Sequence, residues 1–242
     1  MSPPKCYATG KPASEDSQYP TFDLSLMSTI FGFILGALAA FVATLFAESM
    51  KRPVLSFELD ASVDADYSKP PRRPATKARF ARIRLVNRAL PPLLRGLNRN
   101  AALFCRGRIE FKRSSGERVF DTPMAARWSS TPEPIPMKLM LRGSLEGEIV
   151  DHFRYDQRVD IPAGASELFD VAAQFDDEKE CYGWSNESYG FGQNWRNPRR
   201  KLDGERFRVD VTIFHLGGSC SYCCDLVNSG GGMRLEKADD RT

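Results

Sequence analysis

An uncharged run at residues 24–47, LSLMSTIFGFILGALAAFVATLFA, constrains this chain more than any other feature in it. Asp23 closes one end and Glu48 the other, with Lys51 and Arg52 just beyond. As a helix rising about 1.5 Å per residue it covers roughly 36 Å, against a bilayer hydrocarbon core of about 30 Å. A cleaved signal peptide needs a shorter apolar run close to a basic start, and a core helix of this length would keep a polar face. The run is therefore expected to be a single transmembrane helix that holds everything after it at a membrane surface.

Within the run, Ser28, Gly32, Gly36, Ala40 and Thr44 recur every four residues and so share one side of a helix. Small residues let helix backbones approach closely in lipid, where packing drives association. The stripe predicts a homodimer seam or a docking face for another membrane helix, although Gly and Ala are also common in membrane helices generally. Lys5 and Lys11 precede the run at a distance, whereas Lys51, Arg52 and a series of further basic residues follow it. The positive-inside rule then places the C-terminal domain on the cytoplasmic side of the plasma membrane.

Residues 1–23 are polar and rich in Pro and Ser, too poor in apolar surface to fold alone, and read as a disordered tail. Residues 48–76 read as a juxtamembrane strand, alternating from Leu55 to Asp60, followed by a basic, proline-rich linker at 62–76. Residues 77–237 supply one domain of ordinary size, and 238–242 a short tail. Apolar and polar residues alternate over 78–87, with one irregularity, and over 102–112. They alternate most cleanly over 206–215, where Phe207, Val209, Val211 and Ile213 face one way. Segments 222–227 and 233–236 can supply the last strands. Ser114-Ser115-Gly116 and Ile161-Pro162-Ala163-Gly164 are turn signals, and Pro123, Pro132, Pro134 and Pro136 exclude a long helix between them. No sustained helical period follows residue 50, so the domain is expected to be all-β, a sandwich or barrel.

Several elements recur in a fixed order: Leu85-Val86-Asn87-Arg88, Cys105-Arg106-Gly107 within 102–111, Arg127-Trp128-Ser129 with Pro132-Glu133-Pro134, Asp160-Ile161-Pro162 with Gly164, Trp195-Arg196-Asn197-Pro198, and the strand at 202–211. Together they resemble a group of prokaryotic proteins that pair an N-terminal membrane helix with an immunoglobulin-like β-domain. The resemblance spans nearly all of residues 30–237. It implies an immunoglobulin-like β-sandwich behind a single membrane helix, and no activity. Residues 89–99 are longer than the group's pattern, and the closing cysteine cluster departs from it.

Three features are candidates for chemistry. Residues 181–201, CYGWSNESYGFGQNWRNPRRK, interleave Tyr182, Trp184, Tyr189, Phe191 and Trp195 with Gly, Asn and Ser, and add Arg196, Arg199 and Arg200. Such a loop can stack a sugar or a base and meet phosphate, which makes Tyr182, Trp184, Tyr189, Trp195, Arg196 and Arg199 candidate ligand residues for a nucleotide or sugar. It can equally pack its own aromatics over the end of the sandwich. Asn186-Glu187-Ser188 is in addition a glycosylation sequon, relevant only on a secreted face. Cys220 and Cys223 have the spacing of a zinc half-site, with His215 upstream, but no second CxxC completes it. Free thiols or disulfides are the other readings of Cys6, Cys105, Cys181, Cys220, Cys223 and Cys224. Finally, residues 69–113 hold fourteen Lys and Arg against one acid, Glu110, while 146–180 hold eleven Asp and Glu against three basic residues. The basic half, with 51–84 nearest the membrane, suits anionic lipid headgroups; nucleic acid is the less favoured partner, and pairing between basic and acidic strands the alternative.

His152 and His215 sit in no catalytic motif, and no GxSxG, HExxH or phosphate-binding loop occurs. The expectation is a membrane-anchored protein-interaction or sensor module without catalytic residues or cofactor. It oligomerises through its helix in this reading; a small-ligand module built on 181–201 is the alternative.

Overall fold

The computed structural model describes residues 24–60, 63–67, 76–94, 97–132, 137–141, 145–149, 158–176, 178–190, 195–229 and 232–238. The expected tail at 1–23, Cys6, His152, Phe191 and the last residues 239–242 lie outside them. The described chain forms two units, divided after Phe46.

The first unit is helical. Helix α1 runs Leu24–Lys51, four residues further than the apolar run, because Glu48 and Lys51 close its last turn with a 2.8 Å ion pair. Residues Met27–Lys51 form a helix long and apolar enough to cross a membrane. The hydroxyls of Ser28, Thr29 and Thr44 donate back to carbonyls three or four residues earlier, so they add no unsatisfied group to an apolar surface. A Cβ on Gly32 or Gly36 would meet no neighbouring atom.

The second unit is built from antiparallel strands. In chain order these are β1 (Leu55–Leu59), β2 (Val63–Tyr67), β3 (Thr76–Asn87), β4 (Ala102–Lys112), β5 (Met124–Ala125), β6 (Arg127–Trp128), β7 (Met137–Leu141), β8 (Leu145–Ile149), β9 (Val159–Ile161), β10 (Ser166–Phe175), β11 (Cys181–Gly183), β12 (Lys201–Leu202), β13 (Arg206–His215), β14 (Gly218–Ser229) and β15 (Gly232–Lys237). One sheet has the order β1-β3-β10-β11-β12. On one side of β3, β2 covers the first half and β1 the second; on the far side of β10, β6 and β11 follow each other in the same way. The other sheet has the order β15-β14-β13-β4-β5, with β9 also on β4, and β7-β8 is a separate hairpin.

The two sheets share one core. Ile83 and Leu85 of β3 and Phe169 and Val171 of β10 bury against Ile109 and Phe111 of β4 and Val209, Val211 and Ile213 of β13. Alternation puts these residues inside and Arg and Asp outside, as the pattern over 206–215 predicts. At the end where the chain enters, buried Asn87 donates to the carbonyls of Asn100 (3.1 Å) and Ile161 (3.0 Å), tying three segments together.

Three expectations change. The linker at 62–76 contains β2, held by its register with β3. The irregularity expected in 78–87 belongs to the partner: the register slips between Asp170 and Ala172 of β10, while β3 runs on. The loop at 181–198 begins with a strand, β11, followed by a 3-10 turn at Asn186–Gly190.

Candidate functional site

The aromatic segment folds back over the outer face of the first sheet. Ala78 and Phe80 of β3 and Ala173 and Phe175 of β10 point away from the shared core, and Tyr182 and Trp184 cover them to make a second buried cluster, with Tyr189 and Trp195 packed against it. Trp184 is fully buried. Its ring meets Phe80 at 5.2 Å, Tyr189 at 5.5 Å and Trp195 at 6.0 Å, each near edge-to-face. Arg196 pairs with Glu178 at 2.8 Å and lies 4.3 Å from the Phe175 ring. Glu178 also accepts the Tyr182 hydroxyl at 2.7 Å; burial and that acceptor raise the phenol's pKa. Arg200 donates to the Thr122 carbonyl and pairs with Glu187, pinning the segment to the 120–122 turn. Of the six candidate ligand residues only Arg199 is exposed, and Tyr182 and Trp184 are buried against their neighbours rather than open to a sugar or base. Asn186, the sequon acceptor, is buried as well.

Beside this cluster lies a buried charge node that sequence reading missed. Asp170 is 2% exposed and accepts from Arg82 (2.7 Å), Ser129 (3.1 Å) and Arg127 (3.3 Å). Arg127 also donates to the Thr131 carbonyl and lies over the Tyr189 ring. The available signal was the charge asymmetry itself: basic β3 lies beside acidic β10. Arg84 similarly meets Asp60 at 3.3 Å, so Arg82 and Arg84, two cations of the 51–84 stretch, are answered within the domain.

Among the described residues the cysteines join no cluster of three metal-ligating side chains. Cys105, Cys181, Cys220, Cys223 and Cys224 are free thiols. The zinc half-site expected from His215, Cys220 and Cys223 is not formed. Strand β14 carries both cysteines, and a spacing of three places them on opposite faces, Cys220 packed toward the shared core and Cys223 opposite Asp210. His215 instead accepts the Gly217 N–H at 3.1 Å, and burial lowers its pKa. Among the described residues no three His, Cys, Asp or Glu side chains converge on a metal position. Burial pushes the thiols of Cys105, Cys181 and Cys224 up to about 12 and Cys220 to about 11. At pH 8 a thiol of pKa about 12 holds on the order of a thousandfold less reactive thiolate than a free one, and burial slows its reaction further. Timed alkylation of the folded protein, read by peptide mass spectrometry, should label half-buried Cys223 well before Cys181 or Cys224; equal rates would contradict the buried-thiol assignment.

A cavity of about 680 Å³ opens at the end of the sheets opposite the chain entry, between the start of β3, residues 174–176, 178–180 and 202–205, and the facing ends of β14 and β15. Gln174 sits at its floor, donating to Asn228 and the Lys179 carbonyl and accepting the Met233 N–H. Its lining mixes Asp176, Glu178, Glu180, Asp203 and Glu205 with Lys77, Arg79 and Lys179, and Glu178, Glu180 and Asp203 already pair with Arg196, Lys201 and Arg113. Its volume lies in the range of small-molecule pockets, but its polar wall suits a charged, hydrated group better than an apolar ligand.

No family model and no curated protein matches the chain. Among solved structures, the X-ray structure of a Northeast Structural Genomics Consortium target matches at 10% identity over 79% of this chain and 96% of that one. Its TM-score of 0.28 carries no argument about fold or function.

Proposed function

We propose that this protein is a single-pass, membrane-anchored interaction module. Its β-domain is an immunoglobulin-like sandwich, held on the cytoplasmic face, and its helices associate. The observation that carries this reading is the short connection, inside the second unit, from the end of the helix to the first strand. Helix α1 ends at Lys51 and β1 begins at Leu55, so the helix and a binding-type β-domain are separated by three residues. Strand order supports the immunoglobulin-like assignment: β1-β3-β10-β6 follows the A-B-E-D order and β5-β4-β13-β14 the C′-C-F-G order, with β15 added outside. Lys51 and Arg52 at the helix end support the cytoplasmic side. The mixed-charge cavity at the far end, rather than the buried aromatic segment, is the surface this arrangement presents to a partner.

Association is tested with donor- and acceptor-labelled full-length protein in vesicles. Wild type should show energy transfer that rises with protein-to-lipid ratio. Gly32→Ile with Gly36→Ile, at positions where an added Cβ meets no neighbouring side chain, should weaken association roughly tenfold, as loss of a close-packed small-residue seam does. Transfer unchanged by the double substitution overturns association through this stripe.

A further inference from the structure

Outside α1, among the residues whose side-chain exposure is described, the exposed large apolar side chains are Val54, Leu93, Phe104, Phe214 and Leu216. The pairings place all five at one end of the two sheets. Leu55 opposes Asn87, so Val54 and the segment after β3, including Leu93, share that end. The Asn87 side chain reaches the Asn100 carbonyl, just before β4, so Phe104 near the start of β4 is there too. Phe214 opposes Arg106, and the Leu216 N–H donates to the Leu103 carbonyl at 3.0 Å. Leu93 is 97% exposed and Leu216 73%, values that leave nearly the whole side chain in contact with solvent. The opposite end, with its cavity, is polar.

This apolar end is also the end at which the chain enters. The Lys51 carbonyl accepts the Asn100 N–H at 2.7 Å, within the second unit. From Lys51 to Leu55 the chain spans at most about 14 Å. If residues 27–51 cross a hydrocarbon core of about 30 Å, Lys51 lies in the headgroup layer and these strand ends lie within reach of it. The charges agree with an anionic layer. Arg52, Arg88, Arg106 and Arg158 are exposed around the apolar side chains, against exposed Asp160 and half-buried Glu167. Asp160 is already engaged, accepting the Phe104 N–H at 2.8 Å, and the Arg158 guanidinium lies 5.6 Å from the Phe104 ring. Phe104 holds a left-handed backbone, φ 56°, which an apolar residue seldom adopts.

We propose that this end of the domain docks on an anionic bilayer, with Leu93, Phe104, Phe214 and Leu216 entering the headgroup–acyl boundary and the surrounding arginines meeting lipid phosphate. The proposal rests on α1 spanning the membrane. It moves the lipid contact from the 51–84 stretch to loops that only the fold brings together. Apolar side chains ringed by Arg and Lys are the composition of interfacial contacts, where burial and attraction to anionic lipid add.

The test uses full-length protein in vesicles containing acyl-brominated phosphatidylcholine, with and without phosphatidylserine. Single tryptophans are added at Leu216→Trp, at Phe214→Trp, at Asp203→Trp in the opposite end, and at Phe41→Trp inside the helix. Quenching of each is compared with the three-tryptophan wild type. The expected result is strong quenching at 41, clear quenching at 216 and 214 that rises roughly twofold with phosphatidylserine, and none at 203. Quenching at 41 without quenching at 214 or 216 overturns docking while leaving the span intact, and includes the case in which a protein covers this end. No quenching at 41 overturns the span, and docking with it.

Discussion

Replacing Asp170 with alanine should cost the β-domain about 3–5 kcal/mol, the loss typical of removing one partner from a buried ion pair. The carboxylate is almost fully buried and is the common acceptor for Arg82, Arg127 and Ser129. Without it, two guanidinium groups face each other with no counter-charge; the Arg127 side chain is only 6% exposed. For a domain of this size the loss corresponds to a fall of roughly 6–20 °C in melting temperature. Asp170→Asn keeps the shape and one acceptor but not the charge, and should fall between wild type and alanine. A triple replacement of Arg82, Arg127 and Asp170 by apolar residues of similar volume should recover much of the loss, because the desolvation cost then disappears with the charges. Thermal unfolding of the full-length protein in detergent decides it. A wild-type melting temperature for Asp170→Ala would mean that the node contributes nothing to the folded state.

The node also shows where the sequence was legible. Strands β4 and β13 occupy 102–112 and 206–215, the segments the alternation predicted, because each buries one face and leaves the other charged. Strand β10 was harder to read: Phe169 through Ala173 are all buried, a run without alternation. Its register slip and its covered outer face produce that run, and the cover is the aromatic segment that begins at residue 181. A non-alternating stretch in an otherwise alternating domain was therefore the available sign that Tyr182 and Trp184 are packing rather than surface. Strand β2, VDADY, does alternate apolar and acidic residues, but it is only five residues long and runs into a proline-rich stretch, which hid it; pairing with β3 holds it extended. The CxxC pattern misled in the opposite direction. Its spacing suits a turn that converges two thiols, but β14 continues straight through it. The apolar end was invisible because Leu93, Phe104 and Leu216 are scattered in sequence, and only the strand directions gather them.

Trp184→Ala should be the most damaging single change in the aromatic segment, costing about 3–5 kcal/mol, the range for deleting a fully buried large aromatic. Trp184 sits on Phe80, Phe175, Tyr189 and Trp195 at once, so its removal opens a cavity bounded by rings that cannot collapse without moving β3 or β10. Trp195 and Tyr189 are half-buried at the edge of the same cluster, and Trp195→Ala should cost less, about 1–3 kcal/mol. The difference between the two separates packing from recognition. A stacking platform for a sugar or base exposes its rings, so alanine there lowers affinity and leaves stability near wild type. A core ring does the opposite. Melting of the two variants beside wild type, followed by near-ultraviolet circular dichroism, reads the distinction directly. Wild-type stability for Trp184→Ala would return residues 181–201 to the status of a ligand-binding loop. A loss of the expected size leaves the far-end cavity and the apolar entry end as the surfaces through which the domain meets other molecules.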